Sequence, residues 1–390
     1  MTTRHRASAV ATIICLTLTA TACASPSDER SAVTAGSSAP GEPDTGADDR
    51  SDDDLDDTTS SKPTIATSTV AAGKPTPTTA DTDPPATEAT LESERNPVAC
   101  ASVEPGQQSF TLDAGGAIHD VQAFVPRSFD GTEALPLVLN WHGLGSNGGQ
   151  QAVFTGYEEL AEAKGFIVAH PTGVPFGVGG PNSWELGRFD DPGRDDVVFA
   201  DALIDHMVAQ YCVDESRVYS TGMSNGGLFT SFLVCGLAHR LAAAASVAGV
   251  THHDGCNPSR AVPFIALHGT ADAVVPFDGS ASASTLEGSG TPSVFFDQVM
   301  PDEFAEFAVD MGCHPDPEVD AYSADVIAHS YVGCDDDVPL VFYEIADGGH
   351  TWPNTPVIDL LPEAFGYTTR EIDATVDSWA FFEQHQLRSS

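Results

Sequence analysis

The stretch RVYSTGMSNGGLFT, residues 217–230, restricts the fold more than any other part of the chain. An apolar, β-branched run leads into Ser224, and a helix-compatible run leaves it. Small residues at 222 and 226 allow a backbone turn too tight for a Cβ at either place, which holds the serine out on a corner. A strand that turns at once into a helix belongs to an α/β chain, and the flanking segments agree. LPLVLNWHG (135–143) and VPFIALHGT (262–270) are unbroken apolar runs, as expected of strands covered on both faces. Helical patterns at 150–164, 195–211, 225–236, 302–311 and 369–386 alternate with strands at 109–113, 117–126, 165–171, 217–221, 241–249 and 338–346. This alternation predicts an α/β fold, a mostly parallel central sheet with helices on both faces, whose site lies at the carboxyl ends of the strands.

A serine hydroxyl needs a base and an orienting carboxylate to become a nucleophile. His350, in ADGGHTWPN, follows the last strand and precedes the closing helix. Asp272, in HGTADAVVP, follows the strand ending near 270, with Asp278 and Asp347 as competitors. The order Ser224, Asp272, His350 is that of a triad on this fold. The oxyanion donors are expected to be the backbone N–H of Asn225, after the nucleophile, and that of Leu144, in the glycine-rich NWHGLGSNGG. That loop lacks the lysine and the glycine spacing of a phosphate cradle. His142 and His268 end strands beside the site. Trp184, Trp352 and His142 are candidates for contacting the substrate. His252 and His253 have no third ligand at motif spacing, so neither a metal nor any cofactor is expected.

The first 96 residues are read apart from the fold. Residues 1–23 carry Arg4 and Arg6, then a short apolar stretch ending in LTATAC, the build of a secretory signal with a lipobox-like end at Cys23. Residues 24–96 are rich in Ser, Thr, Pro and Asp and contain no aromatic residue, which predicts a disordered acidic linker. As a coil it would span roughly 45–50 Å. Residues 97–390 form the expected catalytic domain, carrying 9 of the 16 basic and 41 of the 57 acidic residues. Such a surface repels nucleic acid and anionic lipid, leaving an N-terminal lipid anchor as the expected membrane contact. The expected location is extracellular or cell-surface. Oligomeric state is not legible. Six of the eight cysteines lie beyond Cys23 (100, 212, 235, 256, 313 and 334), an even number that suits three disulfides in an exported chain.

The pieces LVLNWHGLGS, GFIVAHPTG, NSWELG, DDVVFADALIDHMVAQYCVDESRVYSTGMSNGG, HGTADAVVPFDG and GGHTWP together resemble the polyhydroxybutyrate depolymerase and feruloyl esterase group of α/β-hydrolases. The resemblance implies Ser224 as nucleophile, Asp272 as acid and His350 as base. It also implies a Cys313–Cys334 disulfide, after which Cys235–Cys256 and Cys100–Cys212 would complete the set. The expected activity is that of an exported serine esterase acting on small or oligomeric carboxylic esters through an acyl-enzyme. A cell-envelope acyltransferase on the same fold, or an inactive envelope binding protein, are the alternatives.

Overall fold

The protein is described by a computed structural model over residues 103–177, 179–186, 193–280 and 298–388. The leader, Cys23, the linker, Cys100 and most of the 279–300 loop lie outside the described residues.

Ten strands form one sheet: β1 Gly106–Ala114, β2 Ala117–Val125, β3 Leu135–Trp141, β4 Ile167–Pro171, β5 Val213–Met223, β6 Ala243–Val247, β7 Phe264–Gly269, β8 Glu318–Ala321, β9 Val326–Tyr331 and β10 Leu340–Ile345. Their spatial order is β1-β2-β4-β3-β5-β6-β7-β10-β9-β8. The six strands from β4 to β10 pair in parallel, while β1, β2, β9 and β8 pair antiparallel at the flanks. A parallel centre reached by helical crossovers, with Ser224 at the β5 corner, is the α/β-hydrolase fold.

The helices are α1 Gly148–Thr155, α2 Tyr157–Lys164, α3 Asp196–Tyr211, α4 Asn225–Gly236, α5 Met300–Asp310 and α6 Ala374–Phe382. The helical pattern at 150–164 is two helices, because Gly156 adopts φ 72° and ends the first. Alternation along the strands feeds two cores. Leu137, Leu139 and Trp141 of β3 join Phe199 and Phe229 from α3 and α4, whereas Val138 joins Tyr157 and Trp379 from α2 and α6. Ala243, Ala244 and Ala245 make β6 a narrow strand, and α4 packs across it beside the corner. Among the described residues, no helix is long and apolar enough to cross a membrane.

Disulfides join Cys235 to Cys256 and Cys313 to Cys334. Cys212 is also disulfide-bonded. The Cys235–Cys256 bond ties the end of α4 to the loop after β6. The β8–β9 hairpin was not foreseen. All four β8 side chains are exposed, so the sequence lacks the alternation that marks a half-buried strand.

Candidate active site

Ser224 stands between β5 and α4 with φ 56° and ψ −122°, a region that ordinary residues avoid. Holding a serine there costs on the order of 1–3 kcal/mol, offset by the packing around it. A Cβ at Gly222 would come within 2.3 Å of Gly226 O, and one at Gly226 within 2.3 Å of Trp141 O. The glycines are therefore needed where the turn passes over β3. The Ser224 N–H donates to Val247 O at 2.8 Å, and Ser224 O accepts the first intrahelical bond, from Leu228 N–H. The N–H groups of Asn225, Gly226 and Gly227 precede that bond and carry the positive end of the helix.

Asp272 and His350 meet. The loops after β7 and β10 are joined by Ala271 N–H to Gly348 O at 2.9 Å, and His350 Nδ1 lies 2.8 Å from Asp272 Oδ2. Asp272 Oδ1 accepts the N–H groups of Val274 and Val275, each at 2.8 Å. Burial works to raise the Asp272 pKa. The charge and hydrogen bond of His350, the nearby His268 and the Val275 N–H outweigh it, and the net shift is downward. An ionised carboxylate only accepts, so the His350 proton sits on Nδ1 and the lone pair is left on Nε2. Asp278 bonds Ser280 at the surface and Asp347 is exposed, so neither competes.

His268 is a second imidazole at this carboxylate. Its Nε2–H donates to Val275 O at 2.8 Å and lies 3.5 Å from Asp272 Oδ2. It thereby helps to close the 272–275 turn. The HGTAD spacing, four residues from histidine to aspartate, was the available signal.

The loop expected to supply an oxyanion donor follows β3. A Cβ on Gly143 would lie 3.3 Å from Ser224 Cβ, so this backbone passes in contact with the serine, and Leu144 is next. The side chain of Asn225 is turned away to the 182–185 segment, where Oδ1 accepts Trp184 N–H at 2.7 Å.

Three expected substrate contacts are corrected. Trp184 is fully buried, stacked on Phe229 with Nε1–H donating to His142 O at 2.9 Å. Trp352 is also fully buried, and its Nε1–H donates to Thr375 Oγ1. His142 is enclosed between the Gly143 carbonyl and the Gly173 N–H. Burial leaves none of the three a face for a ligand.

Sequence reasoning also missed the buried ion pair beneath the 182–185 segment. Arg194 Nε lies 3.0 Å from Asp196 Oδ1, and its Nη2 donates to Ser183 O. Asp196 Oδ2 accepts Glu185 N–H at 2.8 Å. NSWELG is recognisable as a motif, but nothing local shows which charges lie under it. His252 pairs with Asp310 and His253 stacks on Phe232. Both groups of possible metal ligands among the described residues need Cys256, whose sulfur is bonded to Cys235.

Residues 123–299 match the family model described as Esterase PHB depolymerase. Similar proteins include the bifunctional acetylxylan esterase/xylanase XynS20E of Neocallimastix patriciarum, 31% identical over 42% of this chain and 22% of that protein. Feruloyl esterase B of Piromyces equi is 29% identical over 58% of this chain and 41% of that protein. Feruloyl esterase C of Emericella nidulans is 24% identical over 58% and 74%. The chain thus spans less than half the length of the first two. An acetyl xylan esterase structure from Aspergillus awamori aligns at 16% identity with a TM-score of 0.45, over 63% of this chain and 94% of that one.

Proposed function

We propose, for a chain whose residues 123–299 match the esterase PHB depolymerase family, that it is an exported serine esterase. The observation that carries this reading is the forced φ of 56° at Ser224, on a strand-to-helix corner with the Gly143 backbone against it. Packing does not require a strained serine there, whereas a nucleophile presented over free helix N–H groups does.

Ser224 Oγ attacks the ester carbonyl carbon while His350 Nε2 takes its proton. The N–H groups of Leu144 and Asn225 hold the oxyanion. Collapse expels the alcohol, which receives the proton from His350, and leaves an acyl group on Ser224. Water, deprotonated by the same imidazole, then releases the acid and restores the serine. Asp272 keeps the imidazole oriented and offsets its transient charge. The imidazole must be neutral to accept that proton.

The substrates we assign are short or oligomeric carboxylic esters: hydroxybutyrate oligomers, or acetyl and feruloyl esters of polysaccharide. A fluorophosphonate should add once per chain, at Ser224, as read by peptide mass. Nitrophenyl acetate, methyl ferulate, acetylated xylan and hydroxybutyrate oligomers, assayed side by side, rank the substrates. No labelling of Ser224 and no turnover of any ester would overturn the reading.

Export and anchoring belong to the same proposal, supported by the leader-like N-terminus ending at Cys23 and by disulfides suited to an oxidising compartment. Cys23→Ser should shift the protein from the membrane fraction to the medium, as followed by immunoblot. Unchanged membrane retention would count against the anchor.

A further inference from the structure

Two successive carbonyls of the oxyanion loop are gripped by buried side chains that take no part in the proposed chemistry. Trp184 Nε1–H donates to His142 O at 2.9 Å. His142 Nδ1 lies 2.7 Å from Gly143 O. The imidazole's other nitrogen, Nε2, faces the Gly173 N–H at 2.9 Å. A backbone N–H can only donate, so Nε2 is the bare acceptor and the ring proton is on Nδ1, pointed at Gly143 O. Burial, aided by nearby Arg194 and His119 and opposed by the Gly143 bond, lowers the His142 pKa to about 4. The ring therefore keeps this neutral, polarised form through the neutral range.

A trans peptide points its C=O and its N–H in opposite directions within one rigid plane. Whatever holds Gly143 O therefore aims the N–H of Leu144, the donor assigned to the oxyanion. The grip on His142 O fixes the preceding plane in the same way. The indole that supplies it is held to the nucleophile's own helix, through Trp184 N–H to Asn225 Oδ1. One frame thus joins the two residues whose N–H groups would bind the oxyanion. Resting on the esterase reading, we infer that His142 and Trp184 are positioning residues for the oxyanion hole, setting the Leu144 N–H relative to Ser224 before substrate arrives.

A structural role alone makes a different prediction, because Ser146 N–H also donates to Gly143 O, at 3.1 Å. Two substitutions of His142 separate the roles. In His142→Asn the amide nitrogen takes the place of Nδ1 and still donates to Gly143 O, but the acceptor for Gly173 is gone. In His142→Gln the amide oxygen takes the place of Nε2 and still accepts from Gly173, but the donor to Gly143 O is gone. With nitrophenyl acetate, and with active enzyme counted by phosphonate labelling, H142Q should lose roughly 10- to 100-fold in kcat with KM nearly unchanged. Its inhibition by a boronic acid, which forms a tetrahedral adduct on serine, should weaken in parallel. H142N should stay within about fivefold of the unsubstituted protein.

Equal losses in H142N and H142Q, an unchanged kcat in H142Q, or a loss confined to KM would overturn the inference while leaving the esterase reading intact. If H142Q does not fold, Trp184→Phe, which removes the grip on His142 O and keeps a ring in place, is read instead. A kcat loss of about 3- to 10-fold is expected there, and an unchanged kcat overturns the inference. An unsubstituted protein that turns over no ester would overturn the esterase reading and this inference together.

Discussion

Ser224→Ala should abolish ester turnover, with kcat for nitrophenyl acetate falling roughly 10⁴- to 10⁶-fold. The argument is local and steric as well as chemical. The change removes one part-exposed oxygen and leaves the corner intact, because alanine meets the same φ of 56° that serine already tolerates. The backbone bonds to Val247 O and from Leu228 N–H involve no side-chain atom. The thermal midpoint should therefore stay close to that of the unsubstituted protein, and a loss of activity cannot be blamed on unfolding. Whatever activity remains would come from the oxyanion donors acting on bound ester. Turnover above about a hundredth of the original rate would remove Ser224 from its assigned role.

Asp272→Asn should cost about 10⁴ in kcat at neutral pH while the protein keeps its fold. The direction follows from the two backbone groups on Oδ1. The N–H groups of Val274 and Val275 can only donate, so they require the oxygen of the new amide on their side. The amide nitrogen is then forced toward His350 Nδ1, where a carboxylate oxygen had stood at 2.8 Å. Two donors cannot face each other, so the imidazole must carry its proton on Nε2. That leaves no lone pair to accept the serine proton. Asp278→Asn is the matched control, since among the described residues that carboxylate bonds its own turn at the surface, and it should leave kcat unchanged. Equal rates in the two variants would return the choice of acid to the other carboxylates.

Much of the site was legible because its parts are short and covalently local. The corner at Ser224 is written in five adjacent residues, Gly222 to Gly226, and the structure places a strand ending at Met223 and a helix beginning at Asn225. The strands of the parallel centre showed as apolar runs because both of their faces are covered. The two tryptophans were misplaced for a related reason. A loop position suggests exposure, but the loops carrying Trp184 and Trp352 fold back over the core and bury both rings completely.

The sequence alone determined the kinds of element, the sharp corner and the chain order of the serine, carboxylate and imidazole, since period, turn chemistry and spacing act between near neighbours. Only the tertiary structure decided that β3 lies between β4 and β5, that Asp272 takes the bond to a histidine 78 residues away, and that Trp184 and His142 grip the backbone next to the serine. Those outcomes depend on which distant segments share a sheet edge and which polar groups must find partners once water is excluded, and no window of residues contains that information.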